Sequence, residues 1–201
     1  MKADILAIVA AFVIGSIPFG YLIGRLFFSM DIRRQGSGNI GAANALRTIG
    51  KRGAIAVLTL DAAKGFMPVF VARLFGLDSP AVALIAAAAV LGHCFSPWLR
   101  WKGGKGVATS FGAIFGLSWL AGLVCVGAWV LGALATAYSS VGSIAANIVA
   151  PVALWILTRN PAFTGYGVFA ALLIAWTHRD NIERLRAGTE NSLSFLRRRT
   201  S

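Results

Sequence analysis

With 57% hydrophobic and only 13% charged residues, and a mean hydropathy of +0.74, this 201-residue chain is too apolar for a soluble domain and reads as an all-α, polytopic integral membrane protein. Its net charge of +12, from 19 Lys and Arg against 7 Asp and Glu, belongs to topology and anionic lipid contact; no nucleic acid partner is expected, because no soluble basic domain exists to carry one. Strand-like alternation is absent, which argues against a barrel, and the isolated Cys94 and Cys125 suggest neither a disulfide framework nor a zinc site.

Helices of about 20 residues each would nearly use up the chain. One transmembrane domain over 1–201 is expected, with a core over 1–190 and a basic, flexible tail over 191–201. The first span covers 4–28. It has no basic n-region beyond Lys2 and no clear cleavage pattern, so it reads as a span and not a signal peptide. Ser16, Gly20 and Gly24 form a small-residue stripe on it, and Pro18 bends it. A basic loop follows over 31–52. The second span, 54–74, carries Asp61 and Lys64 at i, i+3, where they can pair. Such a pair is either a functional site or an ion pair that orients helices. The third span, 80–99, ends in His93-Cys94-Phe95-Ser96-Pro97-Trp98, and His93 reads as a helix-end histidine bonded locally.

From Val107 to Thr158 there is no Asp, Glu, Lys or Arg. That length suits three short spans, near 107–119, 120–136 and 142–157, with Gly112 and Gly116 giving the first a close-packing face. Tyr138-Ser139-Ser140-Val141-Gly142-Ser143 reads as the polar turn before the last of them. The seventh span covers 162–177, and a polar tail begins at His178. With the N-terminus outside and the C-terminus cytoplasmic, the inner segments hold Arg33, Arg34, Arg47, Lys51, Arg52, Arg100, Lys102, Lys105, Arg179, Arg184, Arg186, Arg197, Arg198 and Arg199. The outer side holds only Lys2, Arg73 and Arg159, a strong positive-inside bias. A five-span variant gives the same sides.

Three polar clusters then fall on one side of the membrane. The first is Gly36-Ser37-Gly38-Asn39-Ile40-Gly41-Ala42-Ala43-Asn44, with Arg47 close behind. The second is Trp101-Lys102-Gly103-Gly104-Lys105-Gly106-Val107-Ala108-Thr109, in which glycine amides, lysines and a following helix N-terminus make an anion site. It is not a Walker A loop, since Gly106 follows Lys105 where Ser or Thr is needed. The third runs from His178 to Glu190. Arg47 can grip a phosphate with two parallel hydrogen bonds, and Lys105 supplies a point charge. The blander reading of the first two clusters is a flexible loop capping two spans and a basic loop anchored at headgroups. No HExxH, no paired cysteines, no metal-binding carboxylate cluster and no G-x-S-x-G elbow is present, so neither metal nor cofactor is expected.

These residues carry a family resemblance. Ser16-Ile17-Pro18-Phe19-Gly20-Tyr21 and Gly36-Ser37-Gly38-Asn39-Ile40-Gly41-Ala42, with Asn44 and Arg47, resemble the first signature of the bacterial PlsY family, the acyl-phosphate:glycerol-3-phosphate acyltransferases. Gly92-His93 and Lys102 to Thr109 resemble the second. His178-Arg179-Asp180-Asn181-Ile182, Arg184-Leu185, Gly188 and Glu190 resemble the third. Leu60-Asp61-Ala62-Ala63-Lys64-Gly65 and Ser140-Val141-Gly142-Ser143 fit as well. Two positions depart: the family usually has Thr at Ala43 and a basic residue near Ala137.

The resemblance implies transfer of a fatty acyl group from acyl phosphate to the 1-hydroxyl of glycerol 3-phosphate, giving lysophosphatidic acid and phosphate, the first step of phospholipid synthesis. It implies a bacterial inner membrane enzyme with its active site on the cytoplasmic face and membrane lipids around it. It makes Ser37, Arg47, Lys105, His178 and Asn181 catalytic, and Gly38, Asn39, Asn44, Lys102, Gly103, Gly104, Gly106, Thr109 and Ser143 substrate-binding. A transporter for a phosphorylated solute would also use cationic loops near broken helices, often with inverted repeats, and no convincing repeat is seen. A lipid kinase would bring a carboxylate for Mg²⁺, and Asp61 is a poor one beside Lys64. Acyl-chain preference and oligomeric state are not legible.

Overall fold

The computed structural model of the chain describes residues 2–193, and all regular elements among them are helical. The expected basic tail lies outside the described residues from 194 onward. Five helical stretches are long and apolar enough to cross a membrane: Lys2–Phe28, Gly50–Leu74, Ser79–Leu99, Trp119–Thr136 and Ser139–Thr158. Val107–Leu117 and Pro161–Thr177 are shorter. At about 1.5 Å per residue, the first of these falls well short of a hydrocarbon core roughly 30 Å thick. Leu6, Leu26, Phe27, Leu74, Leu131 and Leu172 stand exposed, as apolar side chains do where lipid is the solvent. The chain is an all-α polytopic membrane protein, and its internal contacts divide it after Leu117 into two compact units.

The first unit holds α1 (Lys2–Ser16), α2 (Phe19–Phe28), α3 (Ala42–Thr48), α4 (Gly50–Leu74), α5 (Ser79–Cys94) and α6 (Val107–Leu117). α1 packs along α5, and α6 along α4. Both contacts are backbone to backbone. A Cβ on Gly15 would strike the main chain of Ala89, and one on Gly92 that of Phe12. Likewise Gly65 lies against the main chain of Thr109, and Gly112 against that of Ala62. Small residues allow this approach where no water is available to drive association.

Pro18 lacks an amide proton, so the first span breaks rather than bends: α1 stops at Ser16 and α2 starts at Phe19. The small-residue stripe is thereby split, with Gly20 against the main chain of Ile40 and Gly24 against that of Met30. The carbonyls freed at the break find protein donors. The Ser96 hydroxyl donates to the Ser16 carbonyl at 2.6 Å, and Lys64 Nζ donates to the Ile17 carbonyl at 2.8 Å. Trp98 Nε1 adds a bond to Ser16 Oγ at 2.9 Å. A broken helix survives at membrane depth on this condition. Arg73, near the end of α4, closes α6 in the same way, donating to the carbonyls of Gly116 and Leu117 at 2.7 Å each.

The second unit holds α7 (Trp119–Thr136), α8 (Ser139–Thr158), α9 (Pro161–Thr177) and α10 (Arg179–Arg186). Ser118 and Asn160 cap α7 and α9, accepting from the amides of Ala121 at 3.3 Å and Ala162 at 3.0 Å. α8 packs against both α7 and α9, with Gly142 on the Trp129 backbone and Gly167 on that of Pro151. The polar turn expected over Tyr138–Ser143 is mostly helix. Only Ala137 and Tyr138 turn, and α8 begins at Ser139. The serines do not oppose this, because Ser143 Oγ donates back to the Ser139 carbonyl at 2.8 Å.

Candidate active site

The first polar cluster is a loop built around one amide. Asn44, on the first turn of α3, is 1% exposed. Its Nδ2 donates to the carbonyls of Ile32 at 2.8 Å, Asn39 at 2.8 Å and Gln35 at 3.2 Å, and its Oδ1 accepts from the Ser37 amide at 2.9 Å. Gly36, at φ +57°, passes so close that a Cβ there would strike Asn44 Oδ1. Gly38, at φ +71°, makes the other left-handed turn. Asn39 Oδ1 accepts from the Gly41 amide at 2.9 Å, just ahead of α3. The loop is thus a framed structure and not a flexible cap. Its frame leaves the side chains of Ser37 and Arg47 exposed.

The base of that loop is pinned by Asp31. Arg33 donates to it with two nitrogens, Nε to Oδ1 at 2.9 Å and Nη2 to Oδ2 at 2.7 Å. These bonds outweigh burial and hold the Asp31 carboxyl down at about 2. The Arg33 guanidinium also lies 4.3 Å over the Tyr21 ring.

The lysine–glycine loop folds back under the end of α5. Gly103 donates its amide to the Cys94 carbonyl and Gly104 to the His93 carbonyl, both at 3.0 Å. These two amides therefore serve the helix end. Contact is tight: a Cβ on Gly103 would strike the His93 and Cys94 carbonyls, and one on Gly104 the His93 ring. Gly106 turns at φ +84° against Cys94 and Val90. Lys102 is exposed and Lys105 half-buried. Thr109 is fully buried in the α4–α6 contact, its hydroxyl without a hydrogen-bond partner among the described residues.

The loop does not sit at the end of α4. Thr109 meets Gly65, Gly116 meets Val69, and Leu117 meets Arg73, so α6 runs parallel to the second half of α4. The His93 imidazole, beneath Gly104, faces Asp61, with Nδ1 3.6 Å from Oδ1. Asp61 lies roughly 16 Å along α4 from Gly50. The loop is therefore packed beside the middle of α4 and the end of α5. This placement corrects the expectation for His93, whose ring is not bonded locally but is buried against α4.

The third cluster, in the second unit, converges on a carboxylate. Glu190 Oε1 accepts from Asn181 Nδ2 at 2.6 Å and Ser140 Oγ at 3.0 Å, and Oε2 accepts from Arg184 Nε at 2.8 Å. Burial raises the Glu190 pKa, but the hydrogen bonds from Asn181, Arg184 and Ser140 outweigh it and bring it below its ordinary value. A glycine-ended helix creates the geometry. After α10, the Gly188 amide bonds the Leu185 carbonyl and the Thr189 amide that of Arg184, with Gly188 at φ +69°, which turns Glu190 back over the helix. His178, 3% exposed between α9 and α10, has Nδ1 2.8 Å from the Ile174 carbonyl. A carbonyl only accepts, so Nδ1 carries a proton in this contact. Ser143 accepts from Trp129 Nε1 at 3.3 Å. Sequence reasoning placed Glu190 in the third motif but gave it no role. Its signal was the Gly188 turn that returns it to Asn181 and Arg184.

A family model described as glycerol-3-phosphate acyltransferase matches residues 5–188. The glycerol-3-phosphate acyltransferase of Gluconobacter oxydans (strain 621H) is 46% identical over 192 residues, covering 92% of this chain and 91% of the relative. That of Rhodopseudomonas palustris (strain BisB5) is 44% identical over 189 residues, covering 94% and 95%. Among solved structures, PlsY (YgiH), an integral membrane glycerol 3-phosphate acyltransferase in its glycerol 3-phosphate form, superposes with a TM-score of 0.92 at 35% identity, covering 99% of this chain and 100% of that one. The lysophosphatidic acid form gives 0.87 at 34% identity, covering 94% and 95%.

Proposed function

The chain belongs to the PlsY family of membrane glycerol-3-phosphate acyltransferases, and on that premise we propose that it moves a fatty acyl group from acyl phosphate to the 1-hydroxyl of glycerol 3-phosphate. The hydroxyl oxygen attacks the acyl carbonyl carbon, and the bond from that carbon to the phosphate oxygen breaks. The departing phosphate takes the hydroxyl proton, so lysophosphatidic acid and phosphate leave. The solved relatives, described with glycerol 3-phosphate and with lysophosphatidic acid, support the acceptor and the product.

The observation that carries this reading is the pair of framed loops in the first unit. Their backbone polar groups are bonded internally, at Asn44 and at the end of α5, while Ser37, Arg47 and Lys102 are exposed and Lys105 is half-buried. Cations and hydroxyls on fixed mounts suit two phosphate-bearing substrates and the negative charge that builds on the carbonyl oxygen. Ser37, Arg47 and Lys105 hold phosphate, and Lys102 with Gly103, Gly104 and Gly106 shapes the glycerol-phosphate loop. Gly38, Asn39 and Asn44 act on substrate by fixing where Ser37 stands. Thr109 acts as the packed first turn of α6, and His178, Asn181 and Ser143 position substrate at the third cluster. Both thiols, Cys94 and Cys125, are buried, so no cysteine offers itself as a nucleophile. The chemistry belongs at the cytoplasmic face of a bacterial inner membrane.

The donor tests the mechanism. An acyl-CoA enzyme has a thiolate leaving group and generally brings a histidine–carboxylate base, whereas an acyl phosphate carries its own proton acceptor. Orientation then supplies much of the acceleration. Purified protein in lipid, given radiolabelled glycerol 3-phosphate without nucleotide or added metal, is expected to form lysophosphatidic acid from acyl phosphate and none from acyl-CoA. Comparable turnover with acyl-CoA, or dependence on Mg²⁺, would overturn the mechanism. A transporter would form no product from either donor.

A further inference from the structure

We propose that Asp61, Lys64 and His93 form a buried positioning device that fixes the Lys102–Gly106 loop and thereby sets the affinity for glycerol 3-phosphate; this rests on the acyltransferase reading above. All three side chains are almost wholly buried, at 1%, 3% and 3% exposure. Lys64 Nζ lies 2.8 Å from Asp61 Oδ1 and donates to the Ile17 carbonyl at 2.8 Å. Asp61 Oδ1 faces His93 Nδ1 at 3.6 Å, a charge–dipole contact longer than a hydrogen bond. On its other side the imidazole abuts Gly104 so closely that no side chain fits there, while the Gly104 amide bonds the His93 carbonyl at 3.0 Å. The chain of contacts therefore runs from the helix break at Ile17, through α4, to the end of α5 and into the loop.

Stability does not account for this arrangement. A buried ion pair is weak as a stabiliser, because desolvation cancels much of its Coulombic gain, and apolar residues of similar volume do as well or better. What apolar residues would not do is hold a ring in one orientation under a glycine. Lys64 orients Asp61, Asp61 faces the imidazole nitrogen, and the imidazole sets the height at which Gly103, Gly104 and the flanking lysines stand over α5. The three residues touch no substrate in this scheme and act through the loop.

Two variants and two readouts test it. Asp61→Asn keeps shape and removes the charge that faces His93, and His93→Asn keeps a polar nitrogen but removes the ring beneath Gly104. In hydrogen–deuterium exchange of the full-length protein, a peptide spanning 96–106 reports the Gly103 and Gly104 amide bonds, and peptides from α7 and α8 report the fold. For both variants the loop amides are expected to exchange about 10-fold faster with α7 and α8 unchanged, and the KM for glycerol 3-phosphate to rise on the order of 10- to 100-fold with kcat little altered. If Asp61→Asn fails to fold, the double variant Asp61→Asn, Lys64→Gln, which leaves no unpaired charge, takes its place. Unchanged exchange together with unchanged KM would overturn the proposal, as would a fall in kcat at constant KM, which would place the cluster in the chemistry itself. Failure of the parent protein to acylate glycerol 3-phosphate would overturn the functional reading alone, and the exchange measurement would still decide the positioning.

Discussion

Arg47 is the residue on which charge and geometry separate most cleanly. It stands exposed on the last turn of α3, a helix fixed through Asn44. Lysine at that position keeps the charge and loses the planar two-point grip on a phosphate. Arg47→Lys is expected to lower the acylation rate by about 30- to 1000-fold, and activity within a few-fold of the parent would make Arg47 a headgroup anchor. Asn44 allows a different comparison. Asn44→Asp is nearly isosteric, but it turns an acceptor toward the Ile32, Gln35 and Asn39 carbonyls that the amide now satisfies. Asn44→Ala only leaves them unpaired, at a cost of about 1–3 kcal/mol per buried group. The acid is therefore expected to melt at least as low as the alanine variant in a thermal unfolding series. A higher melting point for Asn44→Asp would show that the loop is not built on this amide. Motif reading found Asn44 and assigned it to substrate; that its amide donates to the Ile32 and Gln35 carbonyls depends on where those residues fold to, which spacing does not reveal.

At the scale of helices, the apolar segments were legible because each is a predominantly apolar run broken by polar or turn-forming residues. The Pro18 break was legible as a bend, since a missing amide proton has a local effect. The start of α8 was not, because a run of serines reads as a turn until Ser143 is seen to bond the Ser139 carbonyl and Ser140 to bond Glu190. His93 was misplaced for a similar reason: its neighbour Asp61 is distant in sequence and comes from another helix. Glycine packing separates residues that look alike in the sequence. A Cβ on Gly112 would strike the Ala62 carbonyl, whereas one on Gly127 meets nothing within 4 Å. Gly112→Val is expected to lose about 1–3 kcal/mol of stability through overpacking, and Gly127→Val to fold like the parent. Equal yields and melting points for the two would mean that the α4–α6 contact is not close-packed.

Across the whole molecule, the positive-inside bias of the sequence predicts that the loops at Ser37, Lys102 and Glu183 share one side of the membrane. Cysteine introduced at each of these positions is expected to resist membrane-impermeant thiol reagents in intact cells and to react after the membrane is opened. Labelling of any one of them from outside would remove the shared cytoplasmic face from the proposed function. The family was legible over nearly the full length, because its motifs are short, ordered and rich in glycine. The placement of the lysine–glycine loop beside mid-α4 was not, since it follows from the pairing of α6 with the later half of α4, and the order of segments alone does not give that pairing.

The turn at Gly188 bears on where the chain can be shortened. Read as sequence, the core ends at 190 and the tail begins at 191. Glu190, however, receives Asn181, Ser140 and Arg184, and the Leu193 amide bonds the Ala137 carbonyl at 2.8 Å with Leu193 itself buried. A stop codon at 189 would delete the acceptor for three donors and leave the Arg184 guanidinium without its carboxylate, a loss felt at the third cluster and not merely at the terminus. For deletion series and C-terminal fusions, the folded boundary of the second unit therefore lies no earlier than Leu193.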